Sequence, residues 1–175
     1  MNQIDYARLD RDDPLAYKRE IFELSNDTIY FDGNSLGALP KIVAQTVNET
    51  TRQQWGNDLI KSWNQHDWVN LPTTVGAKIA RLIGAHNEEV ICCDSISVNL
   101  FKVICAAISE VGNDHRRVIL STRDNFPTDL YMVQGVESFL GQQRCELKLV
   151  DETELVDAID KNTVAVLATE VNFRT

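Results

Sequence analysis

Apolar residues along this chain fall into two alternating rhythms. Short apolar runs of strand length occur at residues 28–31, 90–93, 117–121, 145–150 and 164–168. Between them, apolar positions recur at helical spacing. Leu100, Ile104, Ala107, Ile108 and Val111 share one face of a helix predicted over 97–111. Val75, Ile79, Leu82 and Ile83 do the same in a helix opened by Pro72 and stopped at Gly84. A third helix runs from Pro40 to about Trp55, with Ile42, Val43 and Val47 on its buried face. A fourth occupies 127–140. Shorter helical stretches fall at 14–24, with Leu15, the Lys18 stem and Phe22 on one side, and at 153–160. Residues 32–37 read as a turn.

Strands alternating with helices at these lengths predict an α/β layer architecture. The last run, 164–168, is the kind of apolar strand that a parallel sheet buries on both faces. The chain reaches Thr175 a few residues later, so it is expected to be a fragment of a larger domain.

Composition narrows the function classes. The 175 residues are 43% hydrophobic and 25% charged, as in an ordinary globular protein, and the formal net charge is −9. That acidity disfavours nucleic acid and membrane surfaces alike. No apolar run approaches the ~20 residues that span a bilayer. The acidic start, with Asp5, Asp10, Asp12 and Asp13, is unlike a signal peptide, and a cytoplasmic location is expected. Cys92, Cys93, Cys105 and Cys145 form no CxxC pair and lack a histidine at metal-ligand spacing, so they are expected to be reduced and buried. His86 and His115 read as surface residues, whereas His66 lies between Trp63 and Trp68.

Ligands of open α/β sheets sit beyond the carboxyl ends of the strands, and three segments fall there. In 94–99 (DSISVN), Ser97 is placed to cap a helix, and the N–H groups that follow could hold a phosphate. In 125–129 (NFPTD), Phe126 could stack on a flat ring and Asp129 could accept a hydrogen bond, or the segment could simply begin a helix at Pro127. Thr169 offers a hydroxyl after the last strand. Neither a P-loop nor GxGxxG is present.

Taken in order, residues 30–37 (YFDGNSLG), 55–64 (WGNDLIKSWN), 97–102 (SVNLFK), 125–131 (NFPTDLY) and 169–175 (TEVNFRT) resemble kynureninases. The resemblance covers nearly the whole chain after about Asp27. It implies an aminotransferase-like (fold type I) pyridoxal-phosphate domain, with a mostly parallel sheet and flanking helices. Residues 1–70 would be an N-terminal arm and substrate-side segment, and 71–175 an incomplete cofactor-binding domain. The resemblance further implies that Ile96 and Ser97 hold the pyridoxal 5'-phosphate phosphate and that Phe126 stacks on its ring. Pro127, Thr128, Asp129 and Thr169 would line the cofactor site, with Ser35 and Trp63 near the substrate. Glu170 stands where relatives often have His, and Ser97 replaces the commoner Thr but keeps the hydroxyl.

The implied reaction is the hydrolytic Cβ–Cγ cleavage of L-kynurenine or 3-hydroxykynurenine to anthranilate or 3-hydroxyanthranilate and L-alanine, within tryptophan catabolism and NAD biosynthesis. A homodimer is implied. The lysine that links the cofactor is expected beyond Thr175. Lys18, Lys41, Lys61, Lys78, Lys102, Lys148 and Lys161 all read as surface residues, so the chain alone is expected to be inactive. The alternatives are another pyridoxal-phosphate lyase or desulfurase, which Trp63 and the GNSLG turn argue against, and a non-catalytic binding or dimerisation module.

Overall fold

The computed structural model describes residues 5–25, 27–112 and 115–174. They form two compact units, one up to Asn87 and one from Glu88 onward. The division falls after the helix that Pro72 was expected to open, whereas the sequence places a boundary before it.

The first unit is helical. It contains α1 (Tyr6–Asp12), α2 (Lys41–Glu49), the one-turn α3 (Ser62–Gln65) and α4 (Leu71–Ile83). Helix α1 was not expected. The Asp5 carboxylate caps it by accepting the Arg8 N–H at 3.1 Å. Residues 14–24 form only a 3₁₀ stretch, Ala16–Ile21. Helix α2 continues as a π-helical stretch, Thr50–Trp55, so the predicted run to Trp55 exists with a change of winding. Gly84 ends α4 in the left-handed conformation, φ 75°, which a glycine adopts without steric penalty.

The apolar faces expected in this unit are not buried. Ile42, Val43 and Val47 of α2 are exposed, as are Val75, Ile79, Ile83 and Leu82, the last at 86%. Only Ser62, Gly76 and Ala80 are buried among the unit's described residues. Helical spacing reports that a face is apolar; burial needs an opposing surface, and the described residues cover Val75 and Ile79 only in part. Residues 28–31 are likewise unpaired. A strand requires a neighbour to take its hydrogen bonds.

The second unit has the expected α/β layers. Helix α5 (Ile96–Glu110) precedes β1 (Val118–Thr122), α6 (Pro127–Leu140), β2 (Glu146–Val150) and β3 (Thr163–Leu167). The three strands make a parallel sheet in the order β2-β1-β3. Central β1 is buried throughout. On one face Ile119 packs with Ile104 and Ile108 of α5, Val133 and Val136 of α6, and Cys145. On the other, Val118, Leu120 and Val150 meet Leu155 and Ala158. Full burial of such aliphatic side chains is worth roughly 1.5–3 kcal/mol each.

Three expectations are corrected here. Residues 90–93 form no strand with any described partner. Strand β3 is not buried on both faces: it lies at the sheet edge and Val166 is exposed. Residues 153–160 form turns after a short 3₁₀ segment, Glu152–Glu154, held by a capping box between Asp151 and Glu154. The cysteines are free as expected, but Cys92 is exposed, Cys93 and Cys105 are half-buried, and only Cys145 is buried.

Candidate functional site

Chain direction fixes where the polar loops gather. Helix α5 ends just before β1 begins, so its N-terminus lies toward the carboxyl edge of the sheet. Helix α6 begins just after β1 ends, at the same edge. The segment after β3 leaves from that edge as well.

At α5 the cap is Ser95, not Ser97. Ser95 has extended backbone, φ −99° and ψ 165°, and its Oγ accepts the Val98 N–H at 3.4 Å. Asp94 ahead of it is left-handed, φ 52°, which turns the chain into the helix one residue pair earlier than expected. Ile96 and Ser97 thereby become the first two helical residues. Their N–H groups have no intrahelical acceptor and point out of the helix start. Ser97 is half-buried and Ile96 exposed.

The loop is braced from α5. Asn99 Nδ2 donates to the Cys93 carbonyl at 2.8 Å, and Lys102 pairs with Asp94. That pair holds the Asp94 carboxyl below its ordinary range and pushes the Lys102 ammonium up, in each case first through the hydrogen bond between them.

At α6, Phe126 occupies the N-cap position and Pro127 opens the helix. Asp129 lies in the first turn, half-buried, where its charge suits the helix dipole. The Thr128 hydroxyl reaches Asp129 Oδ1 at 3.5 Å. The Phe126 ring is 44% exposed, and Phe173 touches it edge-on, with centroids 5.1 Å apart at 71°.

The segment following β3 folds back along this loop in three steps. The Thr169 hydroxyl donates to Asn125 Oδ1, Asn172 Nδ2 donates to Asp124 Oδ2 at 2.7 Å, and Phe173 meets Phe126. An open cleft of about 330 Å³ lies here, lined among others by Thr122, Asp124, Asn125, Glu152, Thr169 and Asn172.

Ser121, Asp124, Asn125 and Asn172 were not singled out from the sequence. Asn125 stood inside the quoted NFPTD block without a role of its own, and only the fold shows it 4% exposed. The phosphate-side and ring-side candidates therefore share one sheet edge: Ile96 and Ser97 on α5, Phe126, Pro127, Thr128 and Asp129 on α6, and Thr169 after β3.

Ser35 and Trp63 belong to the first unit. Ser35 Oγ donates to Asp32 Oδ1 at 2.8 Å, and the Tyr30 hydroxyl closes the same turn by bonding the Asp32 and Leu36 carbonyls at 3.0 and 2.5 Å. Trp63 is 49% exposed and meets Trp68 edge-on at 6.2 Å. Trp68 Nε1 donates to Gln54 Oε1 at 2.7 Å, Ser62 Oγ donates to the Gln54 carbonyl, and His66 Nε2 lies 2.7 Å from Asp58 Oδ2. Gly56 fits this knot because a Cβ there would stand 2.5 Å from the Arg52 carbonyl oxygen. Neither a hydrogen bond nor a ring contact joins Ser35 to Trp63 among the described residues.

A parallel sheet with two helix N-termini and a polar strap at its carboxyl edge defines the second unit as an α/β scaffold of the kind that places ligands at its strand ends. No family model matches the chain. Its sequence is, however, 46% identical over 170 residues to the kynureninase of Burkholderia mallei (strain SAVP1), covering 95% of this chain and 41% of that protein. The kynureninases of Burkholderia pseudomallei (strain 1106a) and Deinococcus radiodurans are 46% identical over 170 and 172 residues, with the same coverage. The similarity to kynureninases read from the ordered motifs therefore holds along nearly the whole chain. The chain spans about two fifths of the length of these relatives.

Proposed function

We propose that this chain supplies the phosphate and ring contacts, and part of the substrate wall, of a pyridoxal-phosphate-dependent kynureninase. The reaction is hydrolytic cleavage of L-kynurenine or its 3-hydroxy form at the Cβ–Cγ bond, yielding L-alanine and the corresponding anthranilate. The observation that carries this reading is 46% identity to kynureninases across 95% of the chain.

The residues present fit the cofactor. Two N–H groups without intrahelical acceptors and a half-buried hydroxyl, on Ile96 and Ser97, suit a phosphate at the start of a 15-residue helix. Phe126 offers a half-open ring face for stacking. Thr128, Asp129 and Thr169 place hydroxyl and carboxylate groups at the same edge, behind the rigid φ of Pro127. When bound, pyridoxal phosphate supplies an electron sink for the breaking bond. Ser35 and Trp63 face solvent in the first unit, available to a substrate carboxylate and aromatic ring.

None of the lysines among the described residues is read as the one that holds the cofactor covalently. Such an amine must lose its proton near neutrality. The nearest to the phosphate loop, Lys102, is pushed the other way by Asp94. The active protein is accordingly read as an aminotransferase-like fold, cytoplasmic and homodimeric, acting in tryptophan catabolism and NAD biosynthesis. The exposed apolar side chains of α2 and α4 support an apolar partner surface.

The test is a chimera. Joined in frame to the part of the Deinococcus radiodurans kynureninase that the chain does not match, these 175 residues should release fluorescent anthranilate from kynurenine, and alone they should release none. A folded, cofactor-loaded chimera without activity would contradict the assignment.

A further inference from the structure

Asn125 is buried, and its side-chain amide is saturated. Nδ2 donates to Ser121 Oγ at 2.9 Å and to the Leu167 carbonyl at 3.2 Å. Oδ1 accepts the Phe126 N–H at 2.7 Å and the Thr169 hydroxyl. Ser121 Oγ itself donates to the Leu167 carbonyl at 2.8 Å. One amide thus joins the end of β1, the end of β3, the backbone of Phe126 and the side chain of Thr169.

We propose that Asn125 is a positioning residue that sets the Phe126 ring and the Thr169 hydroxyl against one another at the sheet edge. The claim deepens the cofactor reading above and rests on it for the ligand. Asn125 has no free donor or acceptor to offer a ligand. Its effect is transmitted through the two residues it grips. The groups on Ile96 and Ser97 proposed to hold phosphate have a separate brace, through Asn99 and Lys102, so the ring side and phosphate side should respond separately to substitution.

The geometry also separates the two halves of the amide. Asn125→Asp keeps an oxygen for the Phe126 N–H and replaces the donor to Ser121 and Leu167 with an acceptor. Asn125→Ala removes both.

The test uses two readouts on the 175-residue chain. The first is amide hydrogen exchange. Phe126 should exchange at least tenfold faster in Asn125→Ala and stay near wild type in Asn125→Asp. The second is titration with pyridoxamine 5'-phosphate, which has no aldehyde to react with surface lysines, beside titration with inorganic phosphate. Both variants should bind pyridoxamine phosphate at least tenfold more weakly and inorganic phosphate as the wild type does.

Thr169→Val should weaken pyridoxamine phosphate binding in the wild type but add little in the Asn125→Ala background, as coupled residues do. Unchanged Phe126 exchange in Asn125→Ala, or equal loss of both ligands, would overturn the proposal. If Asn125→Ala does not fold, Asn125→Asp carries the ligand comparison alone. A wild-type chain that binds no pyridoxamine phosphate would overturn the cofactor reading, and with it this use of the clamp. The exchange pattern would then still decide whether the clamp exists.

Discussion

A thiol reports its surroundings through its readiness to lose a proton. Burial pushes Cys145 up to about 11, with Glu137 and Cys105 adding to the effect, whereas Cys92 stands in solvent. Only the thiolate is alkylated. At pH 8, iodoacetamide should label Cys92 in the folded chain and leave Cys145 intact until denaturant is added, as peptide mass mapping would show. Equal labelling of both in the folded chain would be inconsistent with the core around β1. Asp94 reports in the opposite direction. Its carboxyl is held below the ordinary 3.8, chiefly by its hydrogen bond to Lys102. The ion pair is therefore present above that ordinary value and is lost as pH falls through the lowered one. Carboxyl-carbon NMR should give a midpoint under 3.8 for Asp94 and a higher one in Lys102→Ala. Both groups are well exposed, so the pair should matter more to the loop's geometry than to stability.

Among the elements, the start of α5 lets the Ser95 cap be tested apart from the phosphate contact proposed for Ser97. Ser95→Ala should cost about 1 kcal/mol in urea unfolding, the usual loss for an N-cap. Ser97→Ala should shift stability by no more than about 0.5 kcal/mol and weaken inorganic phosphate binding. The reverse result would restore Ser97 as the cap. The sequence hid this because both serines precede the same apolar face, and the deciding feature is the left-handed Asp94, a backbone state that spacing does not encode. Strand β1 was legible, to within one residue at each end, because Val118, Ile119 and Leu120 form an unbroken apolar run buried on both faces. Helices α4 and α6 were legible through Pro72, Pro127 and Gly84, which punctuate regardless of packing. Residues 28–31 and 90–93 look the same in sequence but remain unpaired, since pairing depends on a second strand. Asn125 was illegible for a related reason: it bonds Leu167 and Thr169, which lie 42 and 44 residues away.

At the scale of the molecule, the proposed function assigns the two units different roles. The second gathers the residues proposed to meet phosphate and ring at a sheet edge, and the first presents Trp63 and the Ser35 turn from self-bonded knots. No lysine among the described residues is proposed to form the covalent link, and that proposal is the central claim. It is tested most directly by adding pyridoxal 5'-phosphate to the purified chain, reducing with borohydride, and mapping lysines by mass spectrometry beside an equilibrium titration. The account predicts saturable binding that Phe126→Ala and Ser97→Ala each weaken, with no single lysine modified in stoichiometric yield. Binding indifferent to both substitutions, or one lysine fully captured, would contradict it.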